Sequence, residues 1–212
     1  LCVRAQTQHG NVAAVCIYPQ FVTLAKKILQ YTKIKVATVA NFPHSDSSIS
    51  SVILAIKQSI EDGADEVDVV IPYQDFLIHK DKNSLATFVN NCKAACGNHT
   101  LKVILETGAL NDLELIYSAS LAAICGGADF LKTSTGKITV NATLQAAAMM
   151  LSAIKENKSH CGFKASGGIR TLEQANSYLA LAAQICGAEW ISANHFRIGA
   201  SSLLDDLLKN IS

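Results

Sequence analysis

Apolar and polar positions follow two alternating periodicities along the chain. Short, nearly continuous apolar runs indicate buried parallel strands, and apolar residues at three- and four-residue spacing indicate amphipathic helices. Their regular alternation predicts an α/β fold with a parallel sheet. The predicted strands are Val12–Ile17, Ile34–Ala40, Glu66–Ile71, Leu101–Glu106, Asp129–Thr133, Gly162–Ala165 and Trp190–Ala193. The predicted helices are Phe21–Tyr31, Ser48–Glu61, Ser84–Ala95, Leu113–Cys125, Leu144–Glu156, Leu172–Ile185 and Ser201–Ile211.

Polar residues at the ends of these strands favour a (β/α)8 TIM barrel over a doubly wound sheet. A barrel gathers all its strand ends around one mouth, whereas a doubly wound sheet gathers only those near its switch point. Nearly every predicted strand carries such a residue, and they are Cys16, Asn41, Asp68, Glu106, Lys132 and Lys164. Because no linker or shift in composition interrupts the pattern, residues 1–212 are predicted to form a single domain.

The strand count predicts that the domain is incomplete at its N-terminus. A (β/α)8 barrel needs eight strands, and the pattern supplies seven. We therefore expect the missing first strand to precede Leu1, and the segment Leu1–Gly10 to be the tail of the helix that followed it. A chain of this length is then expected to be less stable and less active than one with the first strand restored.

Composition narrows the class of protein. Half of the 212 residues are hydrophobic, and the net charge of +1 favours neither a nucleic-acid nor a membrane partner. No apolar run is long enough to span a membrane, and the start lacks a secretory signal. The seven cysteines fall mostly inside predicted elements, which indicates reduced thiols in a cytoplasmic protein. Cys92 and Cys96 lie one helical turn apart, but no second Cys/His pair has ligand spacing, so no metal site is expected.

Two lysines at the ends of neighbouring strands carry the candidate chemistry. Lys132 lies within Asp129–Lys137 (DFLKTSTGK), and Lys164 ends the next predicted strand. Lys132 is either a lysine whose charged head reaches water or a carboxylate, or a Schiff-base nucleophile. A nucleophilic lysine must be neutral, which requires burial or a nearby cation. Lys164 is the candidate cation, Lys137 can assist it, and the clustering of the three favours the nucleophile.

Asp68 is the candidate partner of these lysines. It shares a strand face with Glu66. It either neutralises the inward lysines or carries protons beside an imine, and both interpretations predict contact with Lys132 or Lys164.

Three other polar residues are assigned supporting roles. Lys102 and Glu106 share a face of their strand and are expected to extend the ion network of Asp68. Cys16 is expected to line a substrate pocket rather than act as a nucleophile, because no histidine lies near it in the sequence.

Two glycine loops follow the last two predicted strands. They are Ser166–Arg170 (SGGIR) and Ile198–Ser202 (IGASS). Either loop could be only a tight turn. Together with Lys137, Arg170 and the two serines they form a candidate phosphate site, since many barrels hold a phosphate at this place.

The chain resembles deoxyribose-phosphate aldolase, a family of class I aldolases that uses no metal. The resemblance runs in family order over nearly the whole chain. The matching stretches are Val15–Pro19, Val36–His44, Gly63–Pro72, Leu101–Gly108, Ala128–Lys137, Gly162–Arg170 and Gly199–Leu204.

The resemblance implies reversible cleavage of 2-deoxy-D-ribose 5-phosphate to D-glyceraldehyde 3-phosphate and acetaldehyde. Lys132 matches the Schiff-base lysine, Lys164 the lysine that perturbs it, and Asp68 the acidic partner in proton transfer. The resemblance also implies that no cofactor is used beyond the covalent imine on Lys132. It implies a small phosphorylated sugar as the binding partner and is compatible with a homodimer. The implied substrate-binding residues are Cys16, Thr133, Lys137, Gly167, Gly168, Arg170, Gly199, Ser201 and Ser202.

The chain also departs from the family pattern. The family's first strand carries an active-site aspartate and its longer members end in a tail with a tyrosine, and neither has a counterpart here. Ala165-Ser166 stands where the family often has Pro-Ala. Two alternatives stay open: another phosphate-binding barrel lyase or isomerase whose lysines act only as charges, and a truncated barrel with little or no activity.

Overall fold

A seven-stranded parallel sheet forms the centre of the computed structural model, which describes residues 1–211. A small antiparallel hairpin, β1 (Gln6–Thr7) and β2 (Gly10–Asn11), precedes it. Each strand of the parallel sheet pairs with the next one in the chain. These strands are β3 (Ala14–Cys16), β4 (Lys35–Ala40), β5 (Glu66–Val70), β6 (Thr100–Ile104), β7 (Phe130–Lys132), β8 (Gly162–Ser166) and β9 (Phe196–Gly199).

Helices cover the outer face of the sheet. They are α1 (Val22–Leu29), α2 (Ile49–Glu61), α3 (Tyr73–His79), α4 (Lys82–Cys96), α5 (Thr107–Leu110), α6 (Leu113–Cys125), α7 (Leu144–Glu156), α8 (Leu172–Cys186) and α9 (Leu203–Ile211). Helices α2, α4, α6, α7 and α8 contact one another in that order around the sheet. The same five helices begin at side chains that accept a hydrogen bond from the first turn, which satisfies otherwise unpaired amides. These capping residues are Ser48, Asp81, Asp112, Thr143 and Thr171. No helix within residues 1–211 is long and apolar enough to cross a membrane.

The two faces of the sheet differ in character, because successive side chains of a strand point to opposite sides. Val67 and Val69 of β5 face outward into the main hydrophobic core, whereas Asp68 between them faces inward. Asp68 lies 2.8 Å from Lys164 of β8, three strands away. Those strands would be roughly 14 Å apart in a flat sheet. The sheet is therefore curled, with β3 and β9 as its edge strands, and forms a partial barrel around a polar interior.

This architecture confirms the predicted α/β barrel-type fold, with seven parallel strands among residues 1–211. The helices Leu113–Cys125 and Leu144–Glu156 have the predicted bounds. Most other elements differ by one or two residues at their ends. The sequence pattern does not predict the short helices α3 and α5.

The predicted last strand, Trp190–Ala193, is wrong. Residues Ala188–Trp190 form a 3-10 turn, and the indole of Trp190 stacks on His195 at 5.4 Å. The strand begins only at Phe196, whose ring lies 6.2 Å from that of Phe163 on β8. A short apolar run does not by itself distinguish a strand from a packed turn, and here the core contact of Trp190 explains its apolar character.

The helix tail predicted over Leu1–Gly10 is also wrong. The Ala5 amide donates to the Leu1 carbonyl, which makes one turn, and the hairpin of β1 and β2 follows. The Thr7 hydroxyl donates to the Gly10 carbonyl, and Gly10 has φ 126°, a value that favours glycine. A polar, glycine-containing stretch of this kind closes a hairpin more readily than it extends a helix.

Candidate active site

Neighbouring strands bring the two predicted lysines together inside the partial barrel. Lys132 of β7 pairs in register with Lys164 of β8, so their side chains emerge next to each other. Each ammonium lies 2.8 Å from the same carboxylate oxygen, Oδ2 of Asp68. Lys132 is 5% exposed, Lys164 is 7% exposed and Asp68 is fully buried. The predicted contact of Asp68 with the lysines is confirmed.

The carboxylate of Asp68 also connects the two lysines to a longer series of ion pairs. Lys102, which pairs in register with Asp68, contacts its other oxygen, Oδ1, at 2.7 Å. Lys102 also contacts Glu66 at 2.6 Å, and Glu66 accepts from Arg197 at 3.0 Å. Charges of opposite sign therefore alternate from β9 to the lysine pair. We call this group the ion chain, and it consists of Arg197, Glu66, Lys102, Asp68, Lys132 and Lys164.

The surroundings shift the pKa values of the two lysines in opposite directions. Burial alone would raise the pKa of Asp68, but the three ammoniums around it outweigh burial and hold that pKa well below its usual range. Burial lowers the pKa of Lys132, and the charge of Lys164 lowers it further, against the attraction of Asp68. Burial would also lower the pKa of Lys164, but Asp68, Cys16 and Glu66 together outweigh burial and raise it. Lys132 is therefore the more easily neutralised amine, and Lys164 the more persistent cation.

Cys16 and Gly199 border this pair. The Cys16 thiol lies 3.9 Å from Oδ2 of Asp68, and its residue is exposed, so it lies at the mouth, and its role in lining a substrate pocket stays a prediction. A Cβ on Gly199 would lie 3.0 Å from Cε of Lys164 and 2.9 Å from Cβ of Ser166. The absence of a side chain at Gly199 therefore leaves room for the Lys164 stem.

The prediction that Lys102 and Glu106 both extend the ion network is right for Lys102 and wrong for Glu106. Strand β6 ends at Ile104, and Glu106 has φ 54°, so the alternation of faces no longer holds there. The Glu106 carboxylate instead accepts hydrogen bonds from the amide of Thr135, at 3.2 Å, and from its hydroxyl. Burial raises the pKa of Glu106 against these hydrogen bonds and the charge of Lys132.

Glu106 thereby fixes the loop that follows Lys132. The Thr135 hydroxyl also accepts a hydrogen bond from the Lys137 amide at 3.1 Å. The Lys137 ammonium lies 6.0 Å from the ring centroid of Tyr18, which follows β3. Lys137 is therefore placed at the carboxyl ends of the strands, on the β3 side of the mouth.

The two glycine loops lie next to each other at the same end. Ser166 pairs in register with Gly199, which brings the loops after β8 and β9 together. Gly167 and Gly168 have φ of 87° and 83°, values that suit glycine, and the space beside Gly168 is open whereas the Asn141 side chain covers Gly167. A further group of candidate substrate-binding residues is exposed beside these loops, and it comprises Arg170, Ser201 and Ser202.

Thr133 occupies a different position from the other candidate binding residues. It is fully buried, and its hydroxyl donates to the Ser166 carbonyl at 3.1 Å and accepts from the Ser166 amide at 3.0 Å. Both hydrogen-bonding roles of the hydroxyl are thus used to join the loops after β7 and β8. Thr133 supports the site by holding this backbone in place.

Sequence reasoning missed Arg197 and Thr135. Arg197 lies outside the strand predicted at Trp190–Ala193, so it was not placed on the inner face of the sheet. The alternation of Phe196, Arg197 and Ile198 directly before the glycine loop is the signal that would have located it. Thr135 carries no local signal, because its partner Glu106 is distant in the chain.

Comparison with known proteins identifies the family. Residues 2–209 match the model of the DeoC/LacD family aldolase. A candidate deoxyribose-phosphate aldolase from Toxoplasma gondii is 28% identical and superposes with a TM-score of 0.90, covering 98% of this chain and 84% of that one. One from Coccidioides immitis is 29% identical, with a TM-score of 0.83 and coverage of 98% and 77%. An aldolase designated QR15 is 28% identical, with a TM-score of 0.81 and coverage of 99% and 87%. The chain belongs to the DeoC/LacD family of aldolases.

Proposed function

We propose that this protein is a class I aldolase that reversibly cleaves 2-deoxy-D-ribose 5-phosphate to D-glyceraldehyde 3-phosphate and acetaldehyde. The observation that carries the proposal is the buried pair of Lys132 and Lys164 on one oxygen of Asp68. One carboxylate oxygen between two lysines favours a state in which one amine is neutral and the other charged. A neutral amine beside a fixed cation is what imine formation requires. The similarity to candidate deoxyribose-phosphate aldolases supports the choice of substrate.

The proposed reaction begins with attack of the neutral Lys132 amine on the C1 aldehyde of the open-chain sugar. Loss of water, with one proton supplied by the Lys164 ammonium, gives a protonated imine, which acts as the electron sink, so no metal is needed. A base removes the proton of the C3 hydroxyl, the C2–C3 bond breaks, and its electron pair enters the imine to form an enamine. This step releases D-glyceraldehyde 3-phosphate. Protonation of the enamine at C2 and hydrolysis of the imine then release acetaldehyde and restore Lys132.

Asp68 and Lys164 are the proposed proton carriers, acting through a water molecule where direct contact is too long. Asp68 stays ionised because its pKa is held low by the three ammoniums. Lys164, with its raised pKa, is a cation that can stabilise the developing charge and return a proton. Proton acceptance by Asp68 and proton donation by Lys164 are thereby divided between groups whose pKa values are shifted in opposite directions.

The glycine loops and their neighbours are proposed to hold the phosphate of the substrate. Gly167 and Gly168 offer backbone amides, and Ser201 and Ser202 directly precede α9. A helix start, hydroxyl groups and exposed amides suit a dianion. Binding of the phosphate would fix the far end of the sugar and position C1 at Lys132.

A product assay tests the proposal. Purified protein is incubated with 2-deoxy-D-ribose 5-phosphate, and both aldehydes are quantified separately. We expect acetaldehyde and D-glyceraldehyde 3-phosphate in equal amounts, and neither from the Lys132→Arg variant. Conversion to an isomer without acetaldehyde would show a different reaction, and no conversion at all would reject the proposal.

A further inference from the structure

We infer, on the basis of the aldolase function proposed above, that the Glu66–Arg197 pair is a positioning element of the active site that acts on the lysine pair through Lys102. Neither residue is among the substrate-contacting groups assigned above. Glu66 lies two residues before Asp68 on β5, on the same inner face but farther from the carboxyl-terminal mouth. Its influence on the reaction must therefore be indirect, through the ion chain and through its negative charge.

The contacts of Lys102 define how Asp68 is oriented. Lys102 is only 1% exposed and lies between two carboxylates, with Glu66 at 2.6 Å and Oδ1 of Asp68 at 2.7 Å. Since Lys102 occupies Oδ1, the other oxygen of Asp68 is the one presented to the two lysines of the site. A Lys102 that lacked its second partner would be freer to move away from Oδ1 of Asp68. Glu66 thus helps determine which oxygen Asp68 offers.

Arg197 is the second counter-charge of Glu66, beside Lys102. Glu66 is 2% exposed, and a buried carboxylate needs such partners to offset the cost of its desolvation. A guanidinium does not lose its proton in proteins, so Arg197 is a permanent counter-charge, unlike any lysine. Its Nη1 lies 3.0 and 3.1 Å from the two carboxylate oxygens of Glu66. The pair is therefore the fixed end of the ion chain.

Arg197 is itself firmly placed. Its Nε donates to the Ala193 carbonyl at 2.7 Å, and its guanidinium lies 5.2 Å from the centre of the Phe130 ring. That ring fills the space above Gly162, where a Cβ would come within 2.4 Å of it. On its other side Arg197 borders a cavity of about 630 Å³ at the amino ends of the strands. The ion chain thus extends from this cavity to the lysines near the opposite end of the barrel.

Titratable and charged groups from four other strands surround the lysine pair. They are Cys16 on β3, Asp68 and Glu66 on β5, Lys102 on β6 and Arg197 on β9, while Lys132 and Lys164 face each other from β7 and β8. The negative charge of Glu66 is one of the causes that raise the pKa of Lys164. Removal of that charge should make Lys164 lose its proton at lower pH. Removal of the positive charge of Arg197 should have the opposite effect.

The test uses the opposite directions in which the two substitutions should shift the pKa of Lys164. The dependence of kcat/KM on pH is measured for wild type, Glu66→Gln and Arg197→Gln, with Glu61→Gln on the exposed side of α2 as the matched control. We expect the basic limb to move to lower pH by about half a unit or more in Glu66→Gln. It should move to higher pH in Arg197→Gln and stay in place in the control. Each variant is also unfolded thermally to separate stability from proton affinity.

The possible outcomes separate this inference from the proposed function. If wild type and Glu61→Gln do not cleave the sugar phosphate, the aldolase proposal fails. If both cleave it but the two ion-chain variants keep the wild-type pH profile, with or without a lower Tm, the pair is merely structural and the inference is wrong. Should Glu66→Gln fail to fold, Arg197→Gln alone tests the inference. A shift of its basic limb to higher pH supports the inference, and a shift to lower pH or no shift overturns it.

Discussion

Lys132 and Lys164 donate to the same oxygen of one carboxylate, Oδ2 of Asp68, each at 2.8 Å. A single oxygen cannot compensate two buried ammoniums as well as it compensates one. The site therefore favours a state with one neutral amine, and the surroundings determine which one it is. Burial and the charge of Lys164 lower the pKa of Lys132, whereas Glu66 adds to the attraction of Asp68 and helps to raise the pKa of Lys164.

Removal of the Lys164 cation should make Lys132 harder to neutralise. In Lys164→Met, Lys132 keeps Oδ2 of Asp68 to itself and loses the repulsion that lowers its pKa. We expect the acid limb of the kcat/KM profile to move to higher pH and kcat at neutral pH to fall by about 10²-fold or more. Lys155→Met, which removes an exposed lysine from α7, should behave like wild type. An unchanged acid limb in Lys164→Met would show that Lys164 does not set the proton affinity of Lys132.

Asp68 should contribute to stability in a pH-dependent way. Its folded-state pKa lies below the unfolded value of about 3.9, so the contribution is present above about pH 4 and is lost as pH falls through the folded-state pKa. Asp68→Asn leaves three ammoniums without their carboxylate and should cost about 3–5 kcal/mol at neutral pH. Denaturant unfolding of wild type and variant at several pH values should show this difference shrinking below about pH 4.

Asp75→Asn is the matched control for this experiment, because Asp75 is exposed on α3. It should cost less than about 0.5 kcal/mol at any pH. A difference between wild type and Asp68→Asn that stays constant down to acid pH would mean that the ionised carboxylate is not what stabilises the interior.

Gly199→Ala should impair catalysis by displacing Lys164. The new Cβ would lie 3.0 Å from Cε of Lys164 and 2.9 Å from Cβ of Ser166, so at least one of them must move. We expect kcat to fall by about 10-fold or more, because small displacements of a catalytic group are costly, while overpacking lowers stability by about 1–3 kcal/mol. Gly162→Ala, which clashes with Phe130 instead, tests whether loss of stability alone explains the effect. Equal kcat in Gly199→Ala and wild type would contradict the steric role of this glycine.

Thr135→Val should weaken binding of the phosphorylated substrate. The substitution removes the hydroxyl that links Glu106 to the Lys137 amide, so the loop carrying Lys137 loses its anchor. We expect KM for 2-deoxy-D-ribose 5-phosphate to rise by about 5- to 10-fold, as loss of one such anchor costs about 1 kcal/mol. KM for unphosphorylated 2-deoxy-D-ribose should change little. Thr87→Val on the exposed side of α4 is the control, and equal increases for both sugars would argue against a phosphate-binding role for this loop.

The sequence predicted the positions of Lys132, Lys164 and Asp68 better than those of the residues around them. Lys132 and Lys164 are conspicuous because a charge interrupts an apolar strand, and parallel neighbours place such residues side by side. The alternation of faces on β5 likewise placed Asp68 inside the barrel, where it meets both lysines. These inferences depend only on strand periodicity and strand order, which the hydrophobic pattern determines.

The remaining features depend on contacts that periodicity does not contain. Glu106 leaves the strand pattern because its backbone adopts φ 54°, which a strand prediction cannot anticipate. Arg197 was overlooked because the apolar turn around Trp190 resembles a strand as closely as the true strand does. The pairing of Glu66 with Arg197 joins residues 131 positions apart and requires a curled sheet. Their role could be inferred only from the folded chain.

Trapping of the imine tests the central claim most directly. The protein is incubated with acetaldehyde, reduced with sodium borohydride, digested and analysed by mass spectrometry, with Lys132→Arg and Lys164→Met treated in parallel. We predict a stable N-ethyl adduct, a net gain of C2H4, on the peptide that contains Lys132, no such adduct on that peptide in Lys132→Arg, and a reduced yield in Lys164→Met. An adduct confined to other lysines, or no adduct from protein that cleaves 2-deoxy-D-ribose 5-phosphate, would contradict the account.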